Sequence, residues 1–297
     1  MWKLEDAPDQ TGRTAIITGA NCGIGFEAAR MLARRGARVV LACRNQGKAQ
    51  AALEQITRAH PGALVHVESL DLSDLASVSR FSERFMTGAA RLDLLINNAG
   101  VMNPPFSRTA QGFELQLGTN HLGHFVLTAQ LWPLLARTAG ARIVTVSSQV
   151  AHSGKIDFAD PNFERRRYQG WIGYAQSKLA NSMFALELAR RAAQAGAQVT
   201  VTASHPGWTA TDLSRDSPFI THASRLLAMS AEGGALTTVR AAIDPLAANG
   251  SYWGPSSFFE LVGSPSPARI PRRARDPEAA TRLWELSERL TGVRFSC

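Results

Sequence analysis

The stretch Thr18-Gly19-Ala20-Asn21-Cys22-Gly23-Ile24-Gly25 constrains this chain more than any other. The apolar run Thr14-Ala15-Ile16-Ile17 before it reads as a buried strand, and the apolar spacing of Phe26 to Arg35 after it reads as a helix. A strand, a tight glycine turn and a helix start make a place for a pyrophosphate. Glycines let the backbone come close, and the helix N-terminus presents open N–H groups and the positive end of its dipole. A glycine triplet alone often only turns a chain; the flanking strand and helix argue against that plainer reading. Gly19, Asn21, Cys22, Gly23, Ile24 and Gly25 are the candidate contacts. Cys22 sits at the helix start, where a thiol pKa can fall; its plainer reading is an inert small residue.

The second strand, Ala37 to Cys43, ends in Arg44-Asn45. In NAD-binding folds an acid about 20 residues after the glycine loop takes the ribose 2′-hydroxyl. No acid stands here. A carboxylate would repel a 2′-phosphate, whereas a guanidinium would grip it. Arg44 and Asn45 therefore point to NADP(H) in preference to NAD(H), against the reading of Arg44 as an exposed loop residue. Residues 46–59 read as a helix and 63–68 as a third strand. Asp71-Leu72 follows at the carboxyl end, where open α/β sheets bind ligands. Asp71 either accepts from an adenine amino group or caps the helix opening near Ser73.

Residues 74–87 suit a helix. The fourth strand, Leu92 to Ile96, ends in Asn97-Asn98-Ala99-Gly100. Buried amides need partners, and small Ala99 and Gly100 leave room for a ribose. Residues 101–112 read as loop, and about 119–139 as a helix carrying Asn120, His121 and His124. At the start of that helix Asn120 has a cap as its plainer role. The fifth strand, Ala141 to Val146, ends in Ser147-Ser148. The irregular stretch 149–173, with Tyr168 and Trp171, is long enough to suggest function. A helix from about 174 begins Tyr174-Ala175-Gln176-Ser177-Lys178, with Tyr174 and Lys178 one turn apart on one face.

The sixth strand, 198–203, runs into His205-Pro206-Gly207-Trp208-Thr209-Ala210-Thr211. Residues 212–231 read as a mobile segment, 232–244 as a helix and 251–253 as a short seventh strand. The proline-rich stretch 263–275 reads as loop, and 276–290 as an amphipathic helix with Leu283, Leu286 and Leu290 on one face. Strands alternating with helices imply a parallel sheet covered on both faces. The expected fold is α/β: one doubly wound Rossmann-type domain over residues 1–297, with about seven parallel strands. Its nucleotide-binding half spans about 12–148, and its catalytic and substrate half 149–297.

Charge and cysteines narrow the function. A net charge of +8 raises the question of an anionic partner. The basic clusters Arg165-Arg166-Arg167 and Arg272-Arg273-Ala274-Arg275 are short and read as solvated loops, so nucleic acid is not expected. A phosphorylated cofactor is a sufficient use for part of the charge. Three cysteines and seven histidines show neither a disulfide framework nor metal-ligand spacing, so no metal is expected. The N-terminus has no signal-peptide h-region. No apolar stretch reaches the roughly 18–20 residues of a membrane span. A cytoplasmic protein is the expectation.

Taken in order, T-G-x-x-x-G-x-G, N-N-A-G, Asn120, Ser147-Ser148, Y-x-x-x-K and P-G-x-x-x-T resemble the short-chain dehydrogenase/reductase family over at least residues 12–262. Ala42 to Asn45, Asn97 to Met102, Thr119 to Phe125 and Ser177 to Asn181 resemble its retinol dehydrogenase and WW-domain oxidoreductase branch. No WW domain and no N-terminal membrane anchor is expected ahead of the fold, which argues against a substrate drawn from a bilayer, such as retinol. The resemblance implies roles. Tyr174 is the proton donor in carbonyl reduction and the base in alcohol oxidation, and Lys178 favours the phenolate and binds the nicotinamide ribose. Ser148 holds the substrate oxygen, with Ser147 as the alternative. Asn120 holds a water that relays protons to Lys178. Asn98, Ala99 and Gly100 border the cofactor, as do Pro206, Gly207, Thr209 and Thr211, with Thr211 on the carboxamide. The reading is an NADP(H)-dependent oxidoreductase acting on an apolar small-molecule carbonyl or alcohol. A protochlorophyllide-reductase-like or xenobiotic carbonyl reductase is the alternative, and a non-catalytic nucleotide sensor a weaker one. Trp171, Trp208, Phe219 and Tyr168 are expected over the nicotinamide. A homodimer or homotetramer would use helices 119–139 and 174–195.

Overall fold

The computed structural model describes residues 2–209 and 228–297. The expected mobile segment falls almost entirely outside them, as do Thr211 and Phe219. The side chains of Asn45, Asp74, Ser230 and Asp276 cap the starts of four of the longer helices. β1 (Thr14–Thr18) leads into α1 (Gly23–Arg34), and β2 (Arg38–Cys43) into α2 (Gln46–Ala59). β3 (Val65–Ser69) leads into α3 (Leu75–Gly88), and β4 (Leu94–Asn97) into the single turn α4 (Leu115–Leu117). A five-residue π-turn, Gly118–Leu122, then opens α5 (Gly123–Arg137). β5 (Arg142–Val146), α6 (Gly170–Gln194) and β6 (Thr200–Ser204) complete the alternation. After the undescribed residues come α7 (Ala231–Ile243), β7 (Tyr252–Ser257), β8 (Val262–Pro267) and α8 (Pro277–Thr291).

The strands form one sheet in the order β3-β2-β1-β4-β5-β6-β7-β8. All neighbours are parallel except β7 and β8. The expectation of about seven parallel strands is met, and an eighth, antiparallel strand closes the edge. That strand corrects the loop expected at 263–275. Prolines are tolerated there because β8 is an edge, where a missing N–H leaves no ladder bond unmade.

Period-2 alternation places the core. Ala15, Ile17, Val39, Leu41, Leu94 and Ile96 point to one face and pack with α1 and α7. Ile16, Val40 and Leu95 point to the other and pack with α3, α5 and α6. The face shared by α5 and α6 is covered by the chain's own C-terminus, through Phe125, Phe184, Trp284 and Phe295 in mutual ring contact. Strand order reverses between β1 and β4, so their carboxyl ends part and open a crevice, the place where doubly wound sheets take ligands.

Candidate active site

A cavity of about 760 Å³ opens at that crevice. At its floor the glycine loop is pressed against the fourth-strand turn. Gly19 has φ +67, and a Cβ there would stand 3.0 Å from Ala99. A Cβ on Gly25 would stand 2.5 Å from both Asn98 Nδ2 and Gly19 O. Only glycine permits this approach, which brings the start of α1 to the cavity wall.

The Asn98 amide meets the partners that its burial calls for. Asn98 Nδ2 donates to Thr18 O at 2.8 Å, and the Asn98 and Ala99 N–H groups both donate to Thr18 Oγ1 at 2.9 Å. Thr18 Oγ1 in turn meets His124 Nε2 at 2.8 Å, and His124 Nδ1 meets Asn120 O at 2.9 Å. A carbonyl can only accept, so Nδ1 carries the proton and Thr18 donates to Nε2. Burial holds His124 down to about 4, which keeps it neutral in this role. The sequence showed His124 only as a histidine without ligand partners; its part in tying three motifs together came from the fold.

One end of the cavity is lined by Asn21, Arg44, Asn45, Lys48, Asp71 and Leu72. Arg44 is exposed, as a loop residue would be, yet borders the cavity. Asn45 caps α2, its Oδ1 accepting from Lys48 N at 2.9 Å. Asp71 folds back on itself: Oδ1 accepts from Ser73 N at 2.9 Å and Ser73 Oγ at 2.6 Å. α3 opens at Leu75, near Ser73 as expected, but its cap is Asp74 and not Asp71. Lys48 was missed by the sequence reading. Its signal was a cation in the first turn of a helix, against the dipole.

At the other end stand Ser148, Tyr174 and Lys178. Tyr174 and Lys178 project from one face of α6, which begins at Gly170 rather than 174. Their side chains are nearly shut off from solvent, with Tyr174 8% and Lys178 4% exposed. Lys178 Nζ donates to Val146 O at 3.0 Å and lies 5.8 Å from the Tyr174 ring centre. Burial pushes Tyr174 up to about 12, opposed by a hydrogen bond to Ser148. Burial pulls Lys178 down to about 8. Both serines line the cavity, but Ser147 Oγ donates to Lys178 O at 2.7 Å, whereas Ser148 meets Tyr174.

Asn120 lies in the π-turn, behind Gly100, and is not part of the cavity wall. Its amide is spent on Val101, in both directions, and on Ser177 Oγ. Its backbone carbonyl accepts from His124 Nδ1 at 2.9 Å. Pro206, Gly207, Trp208 and Thr209 border the reactive end together with Trp171. Tyr168 does not reach it: its hydroxyl accepts from Gln116 Nε2 at 2.8 Å and donates to Pro104 O at 3.2 Å. Leu261, from the β7–β8 turn, also lines the cavity, and nothing in the sequence pattern placed it there. Among the described residues no group of three or more acids, histidines or cysteines is placed to hold a metal ion, and no helix is long and apolar enough to cross a membrane.

The arrangement is a glycine-floored crevice with a buried Tyr174–Lys178 pair at one end. The model of the family described as short chain dehydrogenase matches residues 13–218. The chain belongs to that family. Human retinol dehydrogenase 12 is 43% identical over 291 residues, covering 96% of this chain and 88% of the relative. Human retinol dehydrogenase 13 is 40% identical over 293 residues, covering 95% and 85%. An uncharacterized protein from Mycobacterium paratuberculosis has the same fold with a TM-score of 0.84 and 42% identity, covering 100% of this chain and 99% of that one. A short-chain dehydrogenase from Shigella flexneri, solved with NADP, gives a TM-score of 0.67 at 25% identity, covering 82% and 96%. The chain is an oxidoreductase of the alcohol/carbonyl class that uses a nicotinamide cofactor.

Proposed function

We propose that this short-chain dehydrogenase transfers a hydride between NADP(H), in preference to NAD(H), and an apolar aldehyde, ketone or alcohol. The observation that carries the reading is Ser148, Tyr174 and Lys178 meeting at the dry end of the crevice whose other end holds Arg44 and Lys48. The residues present fit a dinucleotide: a glycine cradle without room for a Cβ, an N-terminal helix turn beside it, and two cations where a 2′-phosphate would lie. When bound, the cofactor supplies the hydride. Pro206, Gly207 and Thr209 border the nicotinamide end, and Thr211, outside the described residues, completes that group in our proposal.

Burial keeps the Tyr174 phenol protonated, with its pKa pushed up to about 12, which suits a proton donor to a carbonyl oxygen. Ser148 holds that oxygen in hydrogen-bond reach of the phenol. Lys178 supplies positive charge one helix turn away and favours the phenolate as the proton leaves. Asn120 serves the relay to Lys178 by holding a water, as the family role implies, from its place behind Gly100.

The substrate class is carried by Trp171, Trp208 and Leu261 at the reactive mouth, which favour a medium or large apolar group over a sugar or a short acid. Human relatives carry retinol dehydrogenase names, so retinoid aldehydes belong in the test panel beside aryl and long-chain carbonyls. Cytoplasmic location is proposed. Any homodimer or homotetramer is proposed to use a face other than the one on α5 and α6 that the C-terminal helix covers. The deciding experiment is kcat/KM for NADPH and NADH across an aldehyde, ketone and alcohol panel. A preference for NADPH with aryl or long-chain carbonyls is expected; a preference for short hydroxy acids or for NADH would overturn the respective half of the proposal.

A further inference from the structure

We propose that Glu260 is a positioning residue for the reactive end of the cavity, acting through the His205 imidazole on the Gly207 amide. The inference rests on the reading that Pro206 and Gly207 border the nicotinamide half of the cofactor.

The β7–β8 turn carries three successive non-glycine residues in the left-handed region: Phe258 at φ 48, Phe259 at φ 55 and Glu260 at φ 63. Such backbone is disfavoured for side chains of this size and persists only where its surroundings hold it. Four contacts hold it, and three of them run to the cavity wall or to a residue beside it. Phe259 O accepts from Gln149 Nε2 at 2.9 Å, and Leu261 O accepts from Trp208 N at 2.8 Å. Glu260 Oε1 accepts from Arg269 N at 2.9 Å, and Glu260 Oε2 meets His205 Nε2 at 3.3 Å.

His205 is the link. Its ring is fully buried and stacks on Tyr252, with centres 5.5 Å apart. It fits only because residue 254 is glycine: a Cβ there would stand 2.1 Å from Nε2. Its Nδ1 accepts from Gly207 N at 3.3 Å. That bond requires a bare Nδ1, so Nε2 carries the proton and donates to Glu260. The carboxylate therefore selects the tautomer that Gly207 needs, as a second hydrogen bond sets which imidazole nitrogen is protonated. Without Glu260 the proton can move to Nδ1, where it would face the Gly207 N–H, donor against donor. Burial pulls His205 below its ordinary value against the opposing pull of Glu260, which favours the neutral ring that this bonding needs.

Gly207 has no slack to absorb the change. It sits at φ +70, and a Cβ on it would stand 2.4 Å from Leu261 O. A shift at this turn moves Pro206 and Gly207 together, while the adenosine end, across the crevice, stays in place.

The test uses the full chain and two probes: NADPH, and 2′,5′-ADP, which carries the adenosine end alone. Glu260→Ala and His205→Leu are expected to weaken NADPH binding and raise its KM by about 5- to 20-fold, leaving 2′,5′-ADP within about twofold. His205→Asn places Oδ1 where Nδ1 stood and is expected to recover most of the NADPH affinity. Glu260→Gln keeps an acceptor for Nε2–H and is expected between wild type and Glu260→Ala. Unchanged NADPH affinity in Glu260→Ala and His205→Leu overturns the inference, as does equal weakening of both probes, which is general damage to the fold. Failure of His205→Asn to recover affinity over His205→Leu also overturns it. A wild type that binds neither probe overturns the cofactor reading, and this inference with it.

Discussion

The two ends of the cavity use charge in opposite ways. At the adenosine end Arg44 and Lys48 stand exposed, where water carries most of the cost of their charge and each adds attraction without straining the fold. At the reactive end Tyr174 and Lys178 are buried, and the fold holds both toward their neutral forms. On the proposed reading, selection of a cofactor can therefore be altered one side chain at a time with little effect on stability. Chemistry cannot, because the same burial that keeps Tyr174 protonated makes Lys178 costly to keep charged.

Removing the proton donor tests the reactive end most severely. Tyr174→Phe is expected to lower kcat by about 10³- to 10⁴-fold while NADPH affinity stays within about threefold. A residual kcat near wild type on a good substrate would remove Tyr174 from the chemistry. Lys178→Met is expected to cost about 10²-fold or more in kcat/KM, yet to raise the melting temperature of the cofactor-free protein at pH 7. The sign follows from proton binding. Lys178 has its folded pKa pulled down to about 8 from the ordinary 10.5. Between those values the unfolded chain holds the proton and the folded chain does not, so stability rises with pH through that window. Below pH 8 the cost of the buried charge stands in full, on the order of 3 kcal/mol. Wild type should thus gain stability from pH 8 to 10 relative to Lys178→Met in denaturant titrations; parallel curves would mean that Lys178 is not buried as described.

The adenosine end should respond more gently. Arg44→Ala is expected to lower the NADPH-over-NADH ratio in kcat/KM by about 10- to 100-fold, from the loss of one charge-assisted bond. Arg44→Asp should go further and tilt the enzyme toward NADH, because it adds repulsion. An unchanged ratio would show that Arg44 does not read the phosphate. Lys48→Gln is the smallest change, about 2- to 5-fold in the same ratio, and it should shrink as salt is raised. Equal effects at low and high salt would argue that Lys48 acts through α2 rather than through charge.

Much of this was legible in the chain because it is written in local patterns. Strand alternation set the two faces of the sheet, and Gly19, Gly23 and Gly25 mark a backbone that must bend and come close. Tyr174 and Lys178 share a face by helix geometry alone, and an Arg44 without an acid beside it is a statement about charge that needs no coordinates. What the tertiary structure decided are encounters between distant segments. Thr18, Asn98 and His124 meet only because β1 and β4 are neighbours and the π-turn at Gly118–Leu122 faces their ends. The choice between Ser147 and Ser148 depends on which hydroxyl α6 covers. The edge strand β8 reads as a proline-rich loop in sequence, because an edge need not supply every N–H. Its turn brings Glu260 to His205, 55 positions earlier in the chain. A helix face or a strand face follows from the periodicity of neighbouring residues, whereas a buried polar bond between two segments follows from how the sheet orders its strands.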